Sequence, residues 1–130
     1  MSEHSADQTL GRELLPVFLG ATSSAYRQAA QLHRRYGALS VIADRKRPFR
    51  DLLSLNTLFF QLPSSGHPLL TAELLTDWVA HRSETIPLLI LCKEEYRPLL
   101  EVGATRLETR FILLESDRLT QEPLFADFSR

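Results

Sequence analysis

The sequence predicts an α/β fold, a Rossmann-like doubly wound and mainly parallel sheet of five strands with helices on both faces. Two features carry that reading. Short apolar runs such as Leu14-Leu15-Pro16-Val17-Phe18-Leu19 and Pro87-Leu88-Leu89-Ile90-Leu91-Cys92 lack the polar alternation of a half-exposed strand, so they belong in a sheet covered on both sides. A strand, a helix and a second strand also follow one another within about thirty residues, and such a unit closes as a right-handed parallel crossover.

The elements follow in order. The first strand, Leu14 to Leu19, is closed by Gly20. Ser23 or Ser24 is placed to cap a helix carrying Ala25, Ala29, Leu32 and Tyr36 at helical spacing, which Gly37 ends. Leu39 to Ala43 forms the second strand, Asp44 to Asp51 a charged turn holding Pro48, and Thr57 to Gln61 a third strand reached without a helix of useful length. After a loop from Pro63 to Gly66, Pro68 opens a helix running to about Ser83, with Leu70, Leu74, Leu75, Trp78 and Val79 as its apolar stripe. Pro87 to Cys92 is the central strand. Pro98 disfavours helix at Arg97, so a turn and then a short helix from Pro98 to Gly103 are expected, followed by a fifth strand from Phe111 to Leu114. The expected strand order is 3-2-1-4-5. Residues 1–13 read as a flexible leader, 14–115 as the Rossmann-like domain and 116–130 as a tail.

Composition bounds the function. With 130 residues there is room for one domain, and 15 Lys plus Arg against 16 Asp plus Glu give a net charge of −1. That balance argues against nucleic acid or an anionic membrane as an obligate partner. Cys92 is the one cysteine, which excludes an internal disulfide framework and suits a reducing compartment, so a cytoplasmic location is expected. The first nine residues lack the apolar core of a secretory signal, and no apolar run approaches the roughly 18 residues that span a bilayer.

In a doubly wound sheet, ligands sit beyond the carboxyl ends of the strands, where the first and fourth diverge. Gly20, Ala21, Thr22, Ser23 and Ser24 turn from strand to helix there, and their N–H groups suit a phosphate or carboxylate. One glycine stands where a dinucleotide fingerprint wants three. Cys92, Lys93, Glu94 and Glu95 close the fourth strand at the same crevice, and Glu115 to Asp117 close the fifth. Asp44 stands about twenty residues beyond Gly20, the place of a ribose-binding acid, and Arg45, Lys46, Arg47 and Arg50 follow it. Asp44, Arg45 and Arg47 thus define an alternative nucleotide site, against which stands the plain reading of a solvated charged loop. Cys92 beside Lys93 is a nucleophile only if its thiol is activated, and otherwise packs as a small apolar group. His4, His33, His67 and His81 have no metal-ligand spacing. No residue set reads as catalytic.

Gly20 through Ala25-Tyr26, Ala29-Ala30, His33 and Tyr36-Gly37 with Ser40 resembles the opening of ATP-grasp carboxylate-amine ligases related to D-aspartate ligase. The run from Pro87 to Cys92 with Tyr96 and Leu99-Leu100 is similar to the fourth strand and next helix of their first, pre-ATP-grasp domain, and Phe111 to Asp117 to its closing strand. The resemblance implies a non-catalytic domain whose Gly20 turn and Cys92 to Glu95 loop form one wall of a substrate cleft. ATP and magnesium would belong to the ATP-grasp lobes that follow in the family, and no cofactor is expected without them. As the sequence stands it ends at Arg130, so three explanations are open: an excised domain, one subunit of a split ligase, or a stand-alone descendant. The first two imply a catalytic subunit as partner, or a homodimer through an exposed apolar surface. The alternatives are an independent nucleotide- or dinucleotide-binding module and a protein-interaction module without a small-molecule site.

Overall fold

A computed structural model describes residues 14–63, 67–82 and 84–115; the expected leader and tail, and residues 64–66 of the expected loop, lie outside them. Within the described residues, Leu14–Leu19 (β1), Ser40–Asp44 (β2), Thr57–Gln61 (β3), Ile86–Leu91 (β4) and Ile112–Glu115 (β5) form a sheet in the order β3-β2-β1-β4-β5. Every pairing is parallel, with Phe18 level with Ile42 on one side and Ile90 on the other. The doubly wound α/β fold expected from the sequence, including its strand order, is the fold observed.

Alternation along the strands sorts the core into two layers. Phe18, Ile42, Leu88 and Ile90 face helix Ser23–Tyr36 (α1), which answers with Ala25, Ala29, Leu32 and Tyr36. Val17, Leu19, Val41, Leu89 and Leu91 face the opposite layer, built from Pro68–Ala80 (α2), Arg97–Val102 (α3) and Ala104–Leu107 (α4). The two layers bury β1 except for Leu15, and β4 from Leu88 to Leu91, which is why both strands read as unbroken apolar runs.

Four local expectations are corrected. Thr22, rather than Ser23 or Ser24, caps α1, its hydroxyl accepting from the Ala25 N–H at 3.0 Å; its extended backbone aims the side chain back at the first turn. The buried face of α2 is Thr71, Ala72, Leu75, Thr76 and Val79, while Leu70 and Leu74 are exposed. The two threonine hydroxyls donate to carbonyls one turn back, so they enter the core satisfied, and Ala72 lets the helices approach. That helix stops at Ala80 instead of near Ser83; the His81 ring contacts the Asp77 carbonyl and the Arg82 guanidinium donates to that of Trp78, ending the ladder. Finally, the chain does not leave helix at Gly103: α4 follows at once and buries Leu107. The turn expected before Pro98 is present as a 3-10 turn, Glu94–Tyr96.

Candidate functional site

The carboxyl ends of β1 and β4 lie side by side, and the connections leaving them run to opposite edges of the sheet. Backbone bonds extend past both strands. The Gly20 N–H donates to the Ala43 carbonyl at 2.8 Å, and the Cys92 and Lys93 N–H groups both donate to the Leu19 carbonyl, at 3.0 and 3.1 Å. Gly20 has φ +124°, and a β-carbon there would stand 2.6 Å from the Lys93 Cγ and 3.1 Å from the Lys93 backbone nitrogen. Only glycine lets the lysine stem cross this turn.

What the lysine reaches is Asp44, at the end of β2. This carboxylate is 4% exposed and accepts four hydrogen bonds: one oxygen takes the Ala21 N–H at 2.8 Å and the Lys93 ammonium at 2.7 Å, the other the Arg45 N–H at 2.7 Å and the Tyr96 hydroxyl. Asp44 therefore ties together the turns after β1, β2 and β4. Burial favours the neutral acid, but the Lys93, Tyr96 and backbone donors outweigh it and hold the carboxyl below its ordinary value. Tyr96 is shifted the other way: burial first, then donation to Asp44, raises its phenol well above 10.0. At neutral pH it is a donor and not a base.

The basic loop is anchored by a second buried acid. Asp51, 3% exposed, accepts from the Tyr26 hydroxyl at 2.7 Å and from the Arg47 guanidinium at 2.6 Å, while Arg50 donates to Ser23 at the start of α1. The arginines face water, as a charged loop should, yet the acids at its two ends, Asp44 and Asp51, are inside. Tyr26→Phe removes one donor from Asp51 and is expected to lower stability by about 1–2 kcal/mol, read by urea unfolding. An unchanged midpoint would show that water replaces the phenol.

Of the residues singled out in the sequence, the structure brings Gly20, Ala21, Asp44, Arg45 and Lys93 into one cluster. Thr22 caps α1 beside it, Ser23 binds Arg50, and Ser24 accepts from the Gln28 amide at 3.1 Å. Glu95 stands 3.8 Å from both Lys93 and Arg45, whereas Glu94 turns to Arg97, which also reaches Glu115. The Cys92 side chain is half-buried against the α1 layer, in line with a packing role. Arg47 is committed to Asp51. Among the described residues no group of His, Cys, Asp and Glu is arranged to hold a metal ion, and no helix is long and apolar enough to cross a membrane. Residues 116 and 117 of the expected fifth-strand site lie outside the described residues.

Sequence reasoning missed Tyr96 and the Tyr26–Asp51 pair as parts of this edge. A tyrosine three residues after Lys93, in a charged turn that folds back on the strand end, is the one local signal for the first; the second pairs residues 25 apart and leaves none. Arg45 lies over the Tyr96 ring at 5.6 Å, and beside them is a cavity of about 80 Å³ lined by Leu62, Thr71, Glu95 and Leu99, enough for a small polar group or a few waters. No protein-family model matches the chain, and searches of curated proteins and of solved structures find no match either.

Proposed function

We propose that this domain forms one wall of a ligand cleft, without chemistry of its own, and holds the anionic end of a carboxylate substrate at the Gly20–Ser24 and Cys92–Glu95 turns. The observation that carries the reading is the Asp44 cluster. It locks the turns after β1 and β4 in one arrangement and leaves at the rim the Lys93 ammonium, beside the turn that opens α1, and the Arg45 guanidinium, over the Tyr96 ring. Fixed cations and N–H groups bind an anion without having to reorganise. The resemblance to the first domain of ATP-grasp carboxylate-amine ligases supports the same assignment, with ATP and magnesium on partner lobes that complete the cleft.

The nucleotide-module alternative finds less support. Asp44 already accepts four donors, so its carboxylate has no room for ribose hydroxyls, and the Lys93 stem covers the glycine over which a pyrophosphate would pass. The test is a titration of the isotope-labelled chain followed by amide resonances. Dicarboxylates or amino acids at millimolar concentration are expected to shift the amides of residues 21–25 and 93–96, and NAD, NADP or ATP with magnesium to raise the melting temperature by less than about 1 °C. A rise of several degrees with one nucleotide would overturn the reading, as would carboxylates that move no amide at this edge.

A further inference from the structure

We propose that the chain forms a two-fold dimer through the β3 edge of its sheet, with a second copy of this chain as the occupant. In place of the helix that links neighbouring strands elsewhere in the sheet, β2 and β3 are joined by a 3-10 turn, Phe49–Leu53. The connection begins at the carboxyl edge, where Asp51 and Arg50 bind Tyr26 and Ser23 of α1. It ends at the opposite edge, where the Asn56 carbonyl accepts from the Ser40 N–H at 3.3 Å. It thus descends the α1 side of the sheet beside β3, turning its large apolar side chains outward: Phe49 is 77% exposed, Leu52 60%, Leu53 73% and Leu55 92%. Leu58, on β3 itself, is 51% exposed on the other side of the sheet.

Between these residues lies an edge strand of open design. All five residues of β3 pair with β2, and among the described residues no strand pairs with its other side. Edge strands are ordinarily blunted by charge, proline or a bulge, and Thr57-Leu58-Phe59-Phe60-Gln61 has neither charge nor proline. An occupant must supply an extended backbone and apolar groups flanking it. A second β3, running antiparallel across a two-fold axis, supplies both with the same residues. Charge specifies no other partner: from Phe49 to Gln61 the only charged residues are Arg50 and Asp51, both engaged inside the chain. Burying the five exposed apolar side chains from each copy removes on the order of 1,200 Å² from water, the lower end of the range for stable association. Each copy contributes about 600 Å² of this, the upper end of the largest apolar patch on a typical monomer.

Sedimentation equilibrium of the full chain between about 1 and 100 μM is expected to give the mass of two chains, with a melting temperature that rises with concentration. Leu55→Glu and Leu58→Glu, each burying an unpaired charge where the proposed interface places an exposed apolar side chain, are expected to give the mass of one chain with unchanged circular dichroism. Should either variant lose its circular dichroism, Leu55→Ser and Leu58→Thr replace them, with at least a tenfold weaker association expected. A wild-type chain that stays monomeric at 100 μM overturns the proposal, and so does a dimer that survives these substitutions in a folded chain.

Discussion

Asp44→Ala is expected to cost about 3 kcal/mol of stability at pH 7, the lower end for breaking a buried ion pair. The carboxylate is the acceptor for two backbone N–H groups, one phenol and one ammonium, which come from three different turns. Removing it strands the Ala21 N–H and the buried Tyr96 hydroxyl and leaves the Arg45 N–H only its 3.1 Å bond to the Tyr96 oxygen. Lys93 softens the loss because its side chain is 35% exposed and can return to water. The pH dependence follows from the direction of the shift. A carboxyl whose native pKa lies below its unfolded value near 3.8 contributes fully above that value, and the contribution fades as pH falls through the lower native one. Urea unfolding at one protein concentration is therefore expected to show a gap between wild type and variant that is widest at neutral pH and narrows toward pH 3. A gap below about 1 kcal/mol at pH 7 would mean that water satisfies the stranded donors.

Gly20→Ala is expected to cost about 2–4 kcal/mol, and to change the crevice more than its size implies. Two penalties coincide there. The backbone sits at φ +124°, where a residue with a β-carbon is strained, and the added carbon meets the Lys93 stem at 2.6 Å and its backbone nitrogen at 3.1 Å. The lysine stem can swing aside, but the nitrogen is held by its bond to the Leu19 carbonyl. Relief therefore pulls Lys93 from Asp44, and the variant is expected to lose the carboxylate-induced amide shifts at 93–96 as well as stability. A variant as stable as wild type would show that the turn can adopt another backbone path. Gly37 makes the contrast: it also has positive φ, as the left-handed cap of α1, but a β-carbon there meets nothing within 4 Å, so alanine costs only the backbone term of roughly 1 kcal/mol.

How far the site was legible depends on range. Gly20 and the residues after it, and Lys93 after β4, were visible because a strand that ends in a turn at the carboxyl edge announces its place in a doubly wound sheet. Asp44 was visible by position but not by role: its place at the end of β2 reads as that of an exposed ligand-binding acid, and its four donors come from residues 1 to 52 positions away. Tyr96 was hidden for the same reason. The error on α2 is different in kind, because a helix apolar nearly all round does not say which stripe faces the sheet, and Thr71, Ala72 and Thr76 outcompeted Leu70 and Leu74 through close packing and satisfied hydroxyls.

By itself the sequence determined the α/β class and the five strands, because those follow from apolar runs, helical spacing and the fixed hand of the crossover, each a property of neighbouring residues, and the strand order followed from the doubly wound pattern that the element sequence matches. Tertiary structure alone decided that Asp44 and Asp51 are buried anchors and not surface charges, that the lysine beside Cys92 crosses a glycine to reach one of them, and that β3 is left with an open edge. Charge pairing and exposure are settled by which distant groups arrive at the same place, and a linear pattern carries that information only after the chain has closed on itself.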